Sequence, residues 1–190
     1  MLTSSLRVVL PAIVLASGAV VIFVVLRMLT PSKTGITFSS PQEGYQIWFP
    51  HPGSESGKVM QRGKSQLRYH FAFVQTKDYN YGVITNHYPA SLPIHNVQAE
   101  LDYVQKTLLK ALQASHPVLE HRQELRIGKI EGRELVFSTA HKYGRLRWRM
   151  FIAPPRAFQL LAYVTPSKEQ TLQEQTTKFL NSFRIIPLQK

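Results

Sequence analysis

Gly132–Pro166 reads GRELVFSTAHKYGRLRWRMFIAPPRAFQLLAYVTP. At a period of two residues it divides into three successive strands. Leu135, Phe137 and Thr139 alternate with Val136, Ser138 and Ala140, and a turn at Lys142-Tyr143-Gly144 follows. Leu146, Trp148, Met150 and Ile152 then share one face, with Arg145, Arg147 and Arg149 on the other. Pro154-Pro155 breaks the run, after which Phe158, Leu160, Ala162 and Val164 make a third apolar face. Such alternation writes an antiparallel sheet with one face on a core and one toward water.

Working outward, Ser167 with Gln170 has the spacing of a capping box, and Leu172, Thr176, Phe179, Leu180 and Phe183 form the inner stripe of a C-terminal helix. Upstream, Val118–Ile127 is a strand of poor alternation that turns at Gly128. Asn96 caps a helix carrying Val97, Leu101, Val104, Leu108 and Leu112, which runs to Ala114 and is ended by Ser115-His116-Pro117. Gln66–Gln75 and Asp78–His87 are strands joined at Thr76-Lys77, hence a hairpin. The glycines and proline of His51–Ser65 mark a loop, with at most a short strand at Lys58–Gln61. Tyr45, Ile47 and Phe49 alternate in a strand ended by Pro50. The pattern predicts an α+β domain, an antiparallel sheet with helices on its faces. Phe137, Trp148, Phe158, Leu160, Phe179 and Phe183 are expected in one buried cluster joining the sheet to the C-terminal helix.

Val8–Leu26 is a run of 19 residues without a charge, bracketed by Arg7 and Arg27. As a helix at about 1.5 Å per residue it spans a hydrocarbon core of about 30 Å. Cleavage after the small residues Ala16-Ser17-Gly18 would leave an apolar N-terminus in water, which favours an uncleaved anchor. The expected organisation is a transmembrane anchor over 1–29, a linker rich in Ser, Thr and Pro over 30–41, and a folded domain over 42–187. Arg7 and the amino group stand against Arg27 and Lys33, a tie on which the positive-inside rule does not decide orientation. A short N-terminal tail ahead of a long domain resembles signal anchors that export their C-terminal part, so the domain is expected on the extracytoplasmic side.

The 190 residues contain no cysteine, which excludes disulfide frameworks, thiolate metal sites and a lipidated cysteine anchor. With Arg7 and Arg27 set aside, 21 bases face 11 acids. This excess attracts phosphates, anionic headgroups or an acidic protein face; as scattered charge it serves solubility.

Four phrases, GYQIWFPHPG (Gly44–Gly53), GRELVFST (Gly132–Thr139), RAFQLLAYVTP (Arg156–Pro166) and KFLNSFRII (Lys178–Ile186), together resemble the PsbP-like family, the extrinsic photosystem II subunit and its bacterial relatives of unknown function. The likeness covers roughly residues 36–187. It implies an α/β/α sandwich around an antiparallel sheet, no catalysis, and work as an accessory or assembly factor docked on a membrane complex. Photosynthetic lipoprotein members attach through a lipidated cysteine, whereas here a helix takes that place. No metal or docking residue of the family matches a motif in this chain.

Residue chemistry points the same way. His51, His70, His87, His95, His116, His121 and His141 include no pair at a helical ligand spacing. His70 and His87 fall on neighbouring strands, where a zinc site needs Asp78 or Glu134 as a third ligand; two ordinary sheet-face histidines are the simpler reading. No G-x-S-x-G elbow surrounds Ser138 or Ser182, and no glycine-rich phosphate loop is present. Glu131 and Glu134 lie on opposite faces of a strand, unsuited to paired acid–base work. No catalytic residue, cofactor or metal is assigned. The arginine ladder Arg145, Arg147 and Arg149 is the candidate partner-binding feature, unless Glu124, Glu131 and Glu134 neutralise it. The expected function is a non-catalytic, membrane-anchored accessory subunit whose domain docks on a membrane protein complex. The alternative is a tethered binding protein for a small anionic ligand or anionic lipid headgroup. Nucleic acid is disfavoured for an exported domain without a base-stacking motif.

Overall fold

The computed structural model describes residues 35–188 apart from 63, 114–115 and 140–143. The expected transmembrane span lies outside the described residues. Among the described residues no helix is long and apolar enough to cross a membrane.

In chain order the elements are β1 (Ile36–Ser40), β2 (Tyr45–Phe49), β3 (Ser54–Arg62), β4 (Ser65–Gln75), β5 (Tyr79–His87), α1 (Val97–Leu112), β6 (Pro117–Ile127), β7 (Ile130–Thr139), β8 (Arg145–Ala153), β9 (Arg156–Val164), α2 (Gln173–Ser182) and β10 (Arg184–Ile185). Seven strands form one antiparallel sheet in the order β3-β4-β5-β9-β8-β7-β6. A second, three-stranded antiparallel sheet has the order β1-β2-β10. Helix α1 packs on one face of the large sheet through Leu101, Val104, Leu108 and Leu112. Helix α2 and the small sheet cover the other. The expected helices are found on both faces of the sheet, so the face read as turned to water is covered in part: β9 is buried on both sides, whereas the α2 face of β8 runs from exposed Arg145 to buried Phe151.

The single expected core is corrected with it. Phe137 and Trp148 belong to the cluster beneath α1. Phe158, Leu160, Phe179 and Phe183 belong to the cluster beneath α2. Successive strand residues point to opposite faces, and here each face has its own helix. In the α2 layer Phe179 stacks on Tyr81, with ring centroids 4.9 Å apart, and on Phe49 at 5.5 Å. Phe183 stacks on Phe151 at 5.7 Å.

Three local expectations also change. The stretch read as a linker over 30–41 is strand β1 from Ile36 to Ser40, paired with β2 from Phe49 back to Tyr45. The stretch read as a loop contains β3, which pairs with β4 along its whole length. The capping box does not form: Pro166–Lys168 is a 3₁₀ turn, and α2 begins only at Gln173, with Leu172 at its N-cap. Asn96 does cap α1, accepting a 2.9 Å hydrogen bond from the Ala99 backbone N–H. At the turn between β1 and β2, Gly44 has φ +73°, and a Cβ there would run into the Arg156 guanidinium.

Candidate functional site

The arginine ladder forms as the alternation requires, with all three side chains on the α2 face of β8. They are not free. Arg147 Nη2 and Nε donate to Glu134 Oε1 at 2.8 and 3.0 Å, and Arg149 Nε donates to the same oxygen at 3.2 Å. Glu134 is directly opposite Arg149 in the β7–β8 register. Arg149 also donates to the Leu180 carbonyl at 3.0 Å and to Asn181 Oδ1 at 2.8 Å, which ties β8 to the end of α2. Arg145 binds Glu169 at 2.8 Å and Glu120 at 3.1 Å. Exposure falls along the ladder, from 43% of the Arg145 side chain to 26% for Arg147 and 14% for Arg149.

Of the three expected neutralising acids only Glu134 takes that part. Glu124 accepts from Arg133 Nε at 2.9 Å, and Glu131 accepts from Gln98 of α1. Arg133 is the buried arginine of the opposite face, held by Glu124, Asp102, Gln105 and Gln98. Glu120 reaches Arg145 from a β-bulge, where the β6–β7 register shifts between Leu119 and His121. A bulge re-aims a side chain in this way.

His70 and His87 share the α2 face of neighbouring strands: Arg68 is opposite His87 and His70 opposite Thr85. Neither Asp78 nor Glu134 joins them. His70 Nε2 meets Glu55 Oε2 at 3.0 Å, and His87 Nε2 bonds Glu43 Oε2. Among the described residues no group of three or more His, Asp or Glu is placed to hold a metal ion. Ser182 Oγ donates to the Phe179 carbonyl and accepts from the Trp48 backbone N–H, both at 2.8 Å, a structural role at the helix end.

Glu43 closes a corner that the sequence did not single out. It is buried, bonded to His87, 3.5 Å from Arg68 Nη2, and its carbonyl accepts from Arg156 Nη1 at 2.9 Å. Burial pushes His87 below the ordinary histidine range. The Glu43 carboxylate works against this, while Arg68 and Arg156 add to it. The unfolded chain thus takes a proton on this group first. Stability from His87 is complete above about pH 6.5 and is lost as pH falls from there toward the depressed folded value. Urea midpoints should decline from pH 7.5 to 5.5, and His87→Gln should flatten that slope. Parallel profiles for the two proteins would remove His87 from the account.

No protein-family model and no curated protein matches the chain. Among solved structures it is similar to the solution structure of cyanobacterial PsbP (CyanoP) from Synechocystis sp. PCC 6803. Identity is 12%, 81% of this chain aligns with 94% of that one, and the TM-score is 0.56. The fold is that of PsbP. The chain also overlays on PA94 from Pseudomonas aeruginosa, a protein of unknown function and putative regulator, at 11% identity, 70% and 99% coverage and TM-score 0.42. A third overlay is LpqN, involved in cell envelope biogenesis of Mycobacterium tuberculosis, at 14% identity, 72% and 86% coverage and TM-score 0.43.

On this PsbP fold the ladder and the Glu43 corner sit on the same sheet face, either side of the small sheet and α2. The Glu43 corner escapes sequence reading because its four side chains come from the β1–β2 turn, β4, β5 and β9. Its one local sign is Gly44, whose positive φ permits the turn that Arg156 packs against.

Proposed function

We propose that the chain is a non-catalytic, membrane-anchored accessory or assembly subunit whose PsbP-fold domain docks on a membrane protein complex from the extracytoplasmic side. One observation carries the reading: an uncharged 19-residue run, Val8–Leu26, stands just ahead of β1 of a PsbP-fold domain. A domain tied this closely to an anchor works on what lies in or on the bilayer.

Arg145 is the ladder's contact in this reading. It is the most exposed of the three, and its partners Glu120 and Glu169 are themselves half in water. Arg147 and Arg149 hold the strand beneath it. Purification of the tagged full chain in mild detergent is expected to recover a membrane complex. Arg145→Gln should lower the unfolding free energy by about 1 kcal/mol at most, since both ion pairs it breaks are partly in water, and slow association with that complex. Recovery of the chain alone at every salt concentration overturns the docking reading. An unchanged on-rate removes Arg145 from the interface.

A further inference from the structure

Strand β1 fixes where the anchor joins the domain. Gly35, the first described residue, lies against the Trp48 indole, so close that a Cβ would overlap the ring. Ile36 pairs with Phe49, so the chain enters at the end where β2 finishes. The same end carries the β4–β5 turn, whose Asp78 carbonyl accepts from Thr165 N–H at 2.9 Å, and the His51 ring packs 6.2 Å from Tyr79 there. Three lysines belong to the elements at this end of the sheet. Lys77 is exposed in the turn, Lys168 is half-exposed in the 3₁₀ turn, and Lys178 is exposed on α2 with its ammonium 4.2 Å from the centre of the Trp48 ring. Asp78 and Glu174 are the acids beside them, and Glu169 is held by Arg145.

Geometry then limits the distance to the bilayer. The uncharged run that fills the hydrocarbon ends at Leu26, and eight residues, 27–34, lie between it and Gly35. Fully extended they reach about 27 Å. The headgroup layer takes about 5–8 Å of that on one side. The corner is therefore held within about 20 Å of the headgroups, two to three times the Debye length of about 8 Å at physiological salt. Trp and Lys are side chains suited to such a boundary: the indole is amphipathic, and the lysine stem lies on apolar surface while its ammonium stays wet.

We propose that this corner, Trp48 with Lys77, Lys168 and Lys178, rests on anionic lipid headgroups. The inference depends on the reading of Val8–Leu26 as an anchor and adds to it a membrane-facing surface. It also sets the domain's orientation, with the Glu43–His87 corner at the far end, turned away from the bilayer.

The test uses the full chain reconstituted in phosphatidylcholine vesicles with and without phosphatidylglycerol, some headgroups carrying a nitroxide quencher. Of the two tryptophans, Trp148 is buried beneath α1, out of reach of the quencher, so the difference between wild type and Trp48→Phe reports Trp48 alone. Emission from Trp48 is expected to be quenched in the anionic vesicles. Quenching should fall to the zwitterionic level in a Lys77→Glu, Lys168→Glu, Lys178→Glu variant, and at 1 M salt, where the Debye length is about 3 Å. Quenching that ignores phosphatidylglycerol, or equal quenching of wild type and Trp48→Phe, overturns the proposal. Flotation after an alkaline wash separates the two readings. A chain that floats without Trp48 quenching overturns the headgroup contact alone, and one that fails to float overturns the anchor and the contact together.

Discussion

Glu134→Ala is expected to destabilise the domain by about 3 kcal/mol, measured by urea titration with an unchanged slope. A single oxygen, Glu134 Oε1, accepts from both Arg147 and Arg149, and the glutamate side chain keeps only 6% of its surface in water. Without it two guanidiniums stand on the same strand face with no acid between them. Arg149 retains the Leu180 carbonyl and Asn181. Arg147 loses its carboxylate, and its partial exposure places the expected cost at the lower end of the range for a broken buried pair. Adding Arg147→Leu to Glu134→Ala should restore part of the loss, because the uncompensated charge is what costs most. A loss below about 1 kcal/mol for the single variant would mean that water already screens the pair.

Phe179→Ala should cost about 3–5 kcal/mol, as truncation of a packed aromatic does. Its ring is fully buried and lies against both Tyr81 and Phe49, so the change removes stacking between the large sheet, α2 and the small sheet at once. The Tyr81 hydroxyl is tied to Thr176 on the same helix at 2.8 Å, which limits how far α2 can slide to refill the space. A cost under about 1 kcal/mol would show that the layer collapses freely onto the missing ring.

The strand meander was legible because period 2 is a local signal, and Leu146 to Met150 carry it until Phe151 puts an apolar residue on the arginine face. What covers each face is a tertiary fact. Trp148 and Phe158 read as equivalent core residues, yet one packs under α1 and the other under α2. β1 was hidden by its Ser and Thr content, and β3 by Gly57 and its mostly exposed pattern; both are strands because a neighbour accepts their backbone bonds. The Ser167–Gln170 spacing suited a capping box, but Pro166 starts a 3₁₀ turn that delays the helix to Gln173. In the ladder, the arginines were legible and the acids only in part. Glu134 follows from strand pairing, whereas Glu120 depends on a bulge and Glu169 on the turn after β9.

The strand order has a consequence for how the chain reaches this fold. Strands β3 to β5 are joined by hairpins, and so are β6 to β9. The two meanders meet only where β5 pairs with β9, and the pair nearest in sequence, His87 with Arg156, is 69 positions apart. Closing a loop of that length costs about 4 kcal/mol of chain entropy, against about 1 kcal/mol for a four-residue hairpin. Each meander closes only short loops of its own, whereas the central seam needs the long closure. The middle of the finished sheet is thus the part whose joining costs the chain the most freedom.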